Sequence, residues 1–277
     1  MQRANGIVVI DTNCLRHFED AALEKRIRRS LEAADFEIWP SAINVLEVLQ
    51  DKNTARRARL LTILRRLATG RGVLPLPQDI LRLSGQAIVA GRRGFRAGMS
   101  GTERMLVRDP ANVDPKLQQV SQKFLANLEA RLDQAHEKAR PQVQRVLKER
   151  REGWESIQVF LDTFWTRIEF QDSYLTKLWK LFKLPGDAPL NALMQAPPWR
   201  LLLDAHGVAA FERDAVREQP KRVHHADLLQ LVYAAAGYKR ILVTEEKPLL
   251  RAATAVLVGR YPQSSVFNWA QFLDRHE

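Results

Sequence analysis

Ile7-Val8-Val9-Ile10-Asp11-Thr12-Asn13 is the stretch that sets the reading of the whole chain. Its four apolar residues leave no polar alternate position, so the segment predicts a strand buried on both faces, as in a parallel sheet. Asp11-Thr12-Asn13 ends that strand and opens a loop into a helix carrying Leu15, Phe18, Leu23, Ile27 and Leu31. A second strand, Phe36-Glu37-Ile38-Trp39, stops at Pro40, and Ser41 stands where an N-cap belongs before a helix over Ala42–Gln50. A further helix is expected from Thr54 to Leu67, ended by Gly70 and Gly72. Val73–Pro77 then reads as an extended link to a helix beginning near Gln78.

The same alternation returns near the carboxyl terminus. A helix over Ala226–Ala236, closed by Gly237, precedes the apolar strand Ile241-Leu242-Val243 and then Thr244-Glu245-Glu246. A helix over Leu249–Val258, a short strand Ser265-Val266-Phe267 and a last helix Trp269–Arg275, capped by Asn268, complete the pattern. The fold class is therefore α/β, with a discontinuous domain built from residues 1–84 and 221–277. Between them, residues 85–220 read as a helix-rich insertion opened by a basic loop, Gly91 to Pro115. A break or restart is expected at Pro141, a further helix near Glu152–Phe182, and an irregular link marked by Pro185, Gly186, Pro189, Pro197 and Pro198. A helix around Trp199–His206 follows.

Composition narrows the function classes. Lys and Arg number 43 against 32 Asp and Glu, a net charge of +11 that favours polyanionic partners. No run approaches the roughly 20 apolar residues of a membrane span, and residues 1–10 are too short in apolar length for a secretory leader. Residues 143–151 come nearest to a membrane-surface helix and read better as a solvated one. One cysteine, Cys14, leaves no internal disulfide and no cysteine-based zinc site. The expectation is a cytoplasmic protein with no membrane partner.

Ligands of parallel α/β sheets bind beyond the carboxyl ends of the strands, and acids stand there. Asp11 follows the first strand, Glu246 follows Ile241–Val243, Asp227 lies in the first turn of the helix before that strand, and Glu47 interrupts an otherwise apolar helix. Each has an ordinary alternative. Asp11 would cap a helix, Asp227 would pair with Lys221 or Arg222, Glu47 would face solvent, and Glu246 would pair with Lys247 or Arg251. Together they make a different object. Carboxylates converging on one point need a compensating cation, and an oxygen-only donor set suits Mg²⁺ or Mn²⁺. A basic surface beside such a centre would hold a phosphodiester in place.

Val8–Asn13 resembles the opening strand and D-T/S-N motif of the PIN-domain nucleases, VapC-like in character but with a large helical insertion. Ser41–Leu49 is similar to the family's second segment, Asp227 and Ile241–Lys247 to its closing acid helix and T-x-D-K/R motif, and Val266–Leu273 to its final strand and helix. The resemblance covers the outer segments and not the insertion. It implies a PIN-like fold with four or five parallel strands, and a metal-dependent endoribonuclease leaving 5′-phosphate and 3′-hydroxyl ends. Asp11, Glu47, Asp227 and Glu246 would be catalytic and hold Mg²⁺ or Mn²⁺, while Asn13 and Thr244 would orient them. The family usually has Asp where this chain has Glu246. The implied substrate is tRNA or another cellular RNA, the implied setting a toxin or defence system with an antitoxin or regulatory protein, and pairing of two copies is common in the family. A catalytically degenerate RNA-binding or scaffold protein and a DNA nuclease of the same metal chemistry remain as alternatives.

Arg92, Arg93 and Arg96 are candidate RNA contacts, with Arg104 and Arg108 nearby. Trp154, Trp165, Tyr174 and Trp179 read as core at helical spacing rather than as base-stacking platforms. His224 and His225 suit a helix start, Cys14 packed core, and Ser41 a cap rather than a nucleophile.

Overall fold

The structure is a computed structural model, and it describes residues 6–68, 72–92, 115–149, 161, 180, 192–193, 196–215, 225–235, 240–257 and 264–276. Four strands, β1 (Gly6–Ile10), β2 (Phe36–Trp39), β3 (Arg240–Val243) and β4 (Ser264–Phe267), form one sheet in the order β2-β1-β3-β4. Every pair is parallel, with Val8 beside Ile38 and Ile241, and Leu242 beside Val266. The central position of β1 explains its unbroken apolar run: Val8, Val9 and Ile10 are fully buried. Burial of each such side chain stabilises the fold by roughly 1.5–3 kcal/mol.

Side chains alternate between two cores. Val8, Ile10, Ile241 and Val243 face a layer made by a 3-10 segment (Thr12–Glu19) and the helices α1 (Ala21–Ala34), α2 (Ala42–Leu49), α3 (Thr54–Ala68) and α10 (Trp269–His276). Val9, Leu242 and Val266 face the opposite layer. There the sheet meets α4 (Pro77–Val89), α5 (Pro115–Glu149), α6 (Pro197–Ala215), the short helices α7 (His225–Leu228) and α8 (Leu231–Ala235), and α9 (Lys247–Leu257). Residues 85–220 thus supply part of the sheet's own cover. Trp199, Leu201, Leu202 and Leu203 are fully buried beside Val9 and Leu242, and the Trp199 indole donates to the Leu81 carbonyl at 3.1 Å.

Local chemistry sets the element ends. Ser41 and Asn44 form a reciprocal capping box, in which Ser41 Oγ accepts from Asn44 N (3.3 Å) and Asn44 Oδ1 accepts from Ser41 N (2.8 Å). Asn268 and Gln271 repeat the device before α10, with bonds of 2.8 and 3.0 Å. Asp20 caps α1 through its own carboxylate. Ser41 also bridges to Leu74, so the link from Val73 to Leu76 runs extended beside the sheet, and Pro77 already opens α4.

Three expectations are corrected. The helix expected after Asp11 is two elements, a 3-10 segment and α1, because Asp20 restarts the chain with a cap. The helix expected over Ala226–Ala236 is broken by a turn at Leu229-Gln230 into α7 and α8. Pro141 neither breaks nor restarts α5, which is continuous from Pro115 to Glu149. The expected helix near Glu152–Phe182 (apart from Leu161 and Lys180), its aromatic residues, most of the 91–115 loop, the Pro185–Pro189 link, Gly70 and Gly237 lie outside the described residues.

Candidate active site

The chain leaves β1 toward β2 on one side, and β3 toward β4 on the other, so the direction of winding reverses between β1 and β3. At such a switch point the loops beyond adjacent strands diverge and open a crevice. Asp11 N bonds to Val243 O at 2.8 Å, which locks the two loops together at their base. The cleft above them measures about 380 Å³, and Asp11, Glu47, Asp227 and Glu246 all line it. Four acids spread over more than two hundred positions of sequence meet in one cavity.

Asp11 is the floor. It is 5 % exposed and accepts three hydrogen bonds: from Thr12 N at 2.6 Å and Gln230 Nε2 at 3.1 Å on Oδ1, and from the Thr244 hydroxyl at 2.7 Å on Oδ2. Burial raises its pKa above the ordinary carboxylate value; the Thr244, Gln230 and Thr12 bonds oppose that rise, and Glu246 adds to it. Thr244 also accepts from Glu246 N at 3.0 Å, so one hydroxyl fixes both Asp11 and the turn that presents Glu246.

Glu246 is held from the other side by Asn13 Nδ2 at 3.1 Å. Its neighbour Glu245 turns away, accepting from Trp269 N at 3.2 Å at the start of α10 and facing His17 at 3.5 Å. The acid of the Thr244 motif that enters the cleft is therefore Glu246, as its spacing predicts.

Glu47 carries a marked electrostatic signature. Burial lifts its carboxyl from 4.5 to about 8, with Asp11, Asp227 and Glu246 all pushing the same way and a Thr12 hydrogen bond opposing. Each of the other three acids contributes to holding one proton on Glu47. Thr12 is itself positioned by Asn44, whose Nδ2 reaches Thr12 Oγ1 (3.1 Å) and the Ile10 carbonyl (2.9 Å). The residue that completes the α2 capping box thus also ties that helix to the end of β1.

The donor set is all oxygen, hard and anionic, and it suits Mg²⁺ or Mn²⁺. Among the described residues no three His, Cys, Asp or Glu side chains are gathered into a ready metal cage. Like charges hold carboxylates apart, and bringing them onto one point requires a compensating cation.

Of the other expected residues, Asn13 and Thr244 make the contacts given above. Arg92 is exposed just beyond α4 and does not line the cleft, while Arg93, Arg96, Arg104, Arg108 and His224 lie outside the described residues. Cys14 is fully buried against the Val243 carbonyl. Sequence reasoning passed over Gln230 and Asn44. Both are amides inside apolar runs, Leu228-Leu229-Gln230-Leu231-Val232 and Ala42-Ile43-Asn44-Val45, and a lone amide in such company is a signal of a buried polar role. Arg16, Glu19, Asp51 and Arg56 on the outer wall were missed as well.

Comparison of the chain with family models, with curated proteins and with solved structures returned no match.

Proposed function

We propose that this protein is a PIN-like, metal-dependent endoribonuclease that cuts cytoplasmic RNA, tRNA being one substrate class, to 5′-phosphate and 3′-hydroxyl ends. The observation that supports it most is the meeting of Asp11, Glu47, Asp227 and Glu246 in one cleft at the sheet's switch point. The four carboxylates would hold Mg²⁺ or Mn²⁺, which when bound activates water and offsets charge developing on a phosphodiester. The chain's own contribution is preorganisation. Thr244 and Gln230 fix both oxygens of Asp11, Asn13 and the Thr244 hydroxyl fix Glu246, and Thr12 steadies Glu47. Hydrogen bonds of this kind would limit the rearrangement needed when the cation and a charged substrate arrive. A toxin or defence role, with an antitoxin or regulatory partner and a homodimer, belongs to the same proposal.

The test is cleavage of single-stranded RNA, structured RNA and DNA in Mg²⁺ or Mn²⁺ by the protein and by Asp11→Asn. Loss of activity by about 10²–10³-fold or more is expected in the variant, with its thermal transition retained. Undiminished cleavage by folded Asp11→Asn rejects the site, and cleavage of DNA alone rejects the ribonuclease assignment. Glu246, where the family usually has Asp, favours one second reading, an RNA-binding protein without hydrolysis. It predicts RNA binding with no product in either metal.

A further inference from the structure

The cleft has two chemically different walls. The 3-10 segment turns every three residues, so positions three apart stack on one face. Asn13, Arg16 and Glu19 form such a row along the cleft, while Cys14, Leu15 and Phe18 face the core. Asn13 reaches the acid centre through Glu246. Arg16 stands one turn farther out, about 6 Å along the axis.

The charges around Arg16 are already matched to one another. Asp51 is paired with Arg56, and Glu19 with Arg59 at 3.1 Å. Arg16 is exposed, and among the described residues no carboxylate pairs with it. A guanidinium one turn from four carboxylates, left unpaired where its neighbours are not, presents five donors to an incoming anion. The cleft is the size of a small-ligand pocket, and its volume accommodates one nucleotide unit.

The geometry points to a phosphate-binding subsite on this wall, with Arg16 as its contact to the backbone of a single-stranded polynucleotide beside the scissile bond. The inference rests on the nuclease reading and adds to it the place and polarity of substrate binding. It places a substrate contact on the face shared by the 3-10 segment and α3, apart from Arg92 at the end of α4.

The experiment measures binding of a fluorescein-labelled single-stranded RNA 12-mer by anisotropy, in Ca²⁺, with salt raised from about 50 to 200 mM. The proteins compared are the full chain, Arg16→Ala, Arg16→Lys and Arg29→Ala, the last an exposed α1 arginine that does not line the cleft. Arg16→Ala is expected to bind about tenfold more weakly, with a log–log salt slope shallower by about 0.7, the value of one single-strand phosphate contact. Arg16→Lys should recover the slope, and Arg29→Ala should match the unaltered chain. If the chain binds and Arg16→Ala keeps its affinity and slope, the subsite is wrong while the nuclease proposal stands. If the unaltered chain neither binds nor cuts RNA, the nuclease reading fails, and this inference with it.

Discussion

Replacing Glu47 by Gln removes a charge and keeps the shape, and its effect on stability has a calculable sign. The unfolded chain loses the Glu47 proton near 4.5, whereas the native chain keeps it to about 8. Between those values the native state binds the extra proton, so stability falls as pH rises through the window and levels off above 8. At about 1.36 kcal/mol for each pH unit between the two values, the full penalty is about 5 kcal/mol. Glu47 opens on a cleft that water enters, and screening there reduces the figure to about 2 kcal/mol. For a chain of this size that is a thermal shift of roughly 4–8 °C.

The assay is a pair of melting curves, Glu47→Gln and unaltered protein, in EDTA at pH 5, 7 and 9. Near pH 5 both carry a neutral side chain and should melt together. By pH 9 the Gln variant should melt roughly 4–8 °C higher. Mn²⁺ should close that gap by stabilising the unaltered chain more at pH 9 than at pH 5, because only the ionised carboxylate is a good ligand. A difference between the two proteins that does not change with pH would falsify the claim that Glu47 sits among like charges.

Three further outcomes follow from the contacts. Asn44→Ala loses the side-chain half of the α2 capping box and the bonds to Ile10 and Thr12 together, while the Ser41 hydroxyl can still cap the backbone, and should cost about 2–4 kcal/mol in denaturant unfolding; a loss below about 0.5 kcal/mol would contradict the double role. Gln230→Leu keeps the volume buried and removes the 3.1 Å bond to Asp11, so calorimetry should find Mn²⁺ bound roughly 10–100-fold more weakly with the fold intact. Trp199→Ala should cost about 3–5 kcal/mol and lower the single unfolding transition of the whole protein. A separate low-temperature transition there would mean that α6 does not share the sheet's core.

What could be read from sequence was what local rules control. β-branched runs located β1 and β3, and the Ser41 and Asn268 caps marked two helix starts. Asp11 and Glu246 could be singled out because the carboxyl end of a buried parallel strand is a position of known meaning. Gln230 could not be assigned in this way. Its role exists only through a bond to a residue 219 positions away, in a turn that splits an otherwise regular apolar helix pattern. The 3-10 segment was hidden for a similar reason: Leu15 and Phe18 fit a 3.6-residue period as well as a three-residue one, and the carboxylate of Asp20 decides where the α-helix begins. Pro141 shows the opposite error, a local rule overruled, since a long helix continues through it.

The separation of charge on this molecule follows from its topology. The net charge of +11 would by itself make a diffuse attractor for polyanions, with no preference for any one point of the surface. The switch point breaks that uniformity. It places the ends of β1 and β3 side by side, so Asp11 and Glu246 must share a cavity, and the capping of α2 and the turn at α7 bring Glu47 and Asp227 to the same place. The ionised acids there repel a phosphate while they attract a cation, and an anionic strand could not approach the floor unaided. Approach therefore has to be organised in two parts, a cation at the floor and a guanidinium on the wall. Arg16 stands one 3-10 turn from Asn13, which in turn touches Glu246, so the positive and negative parts of the cleft are built on a single segment of backbone. Lengthening that segment by one residue would rotate Arg16 off the cleft while leaving all four acids in place. RNA binding would weaken and Mn²⁺ binding would survive, and the opposite result would disprove the division of labour.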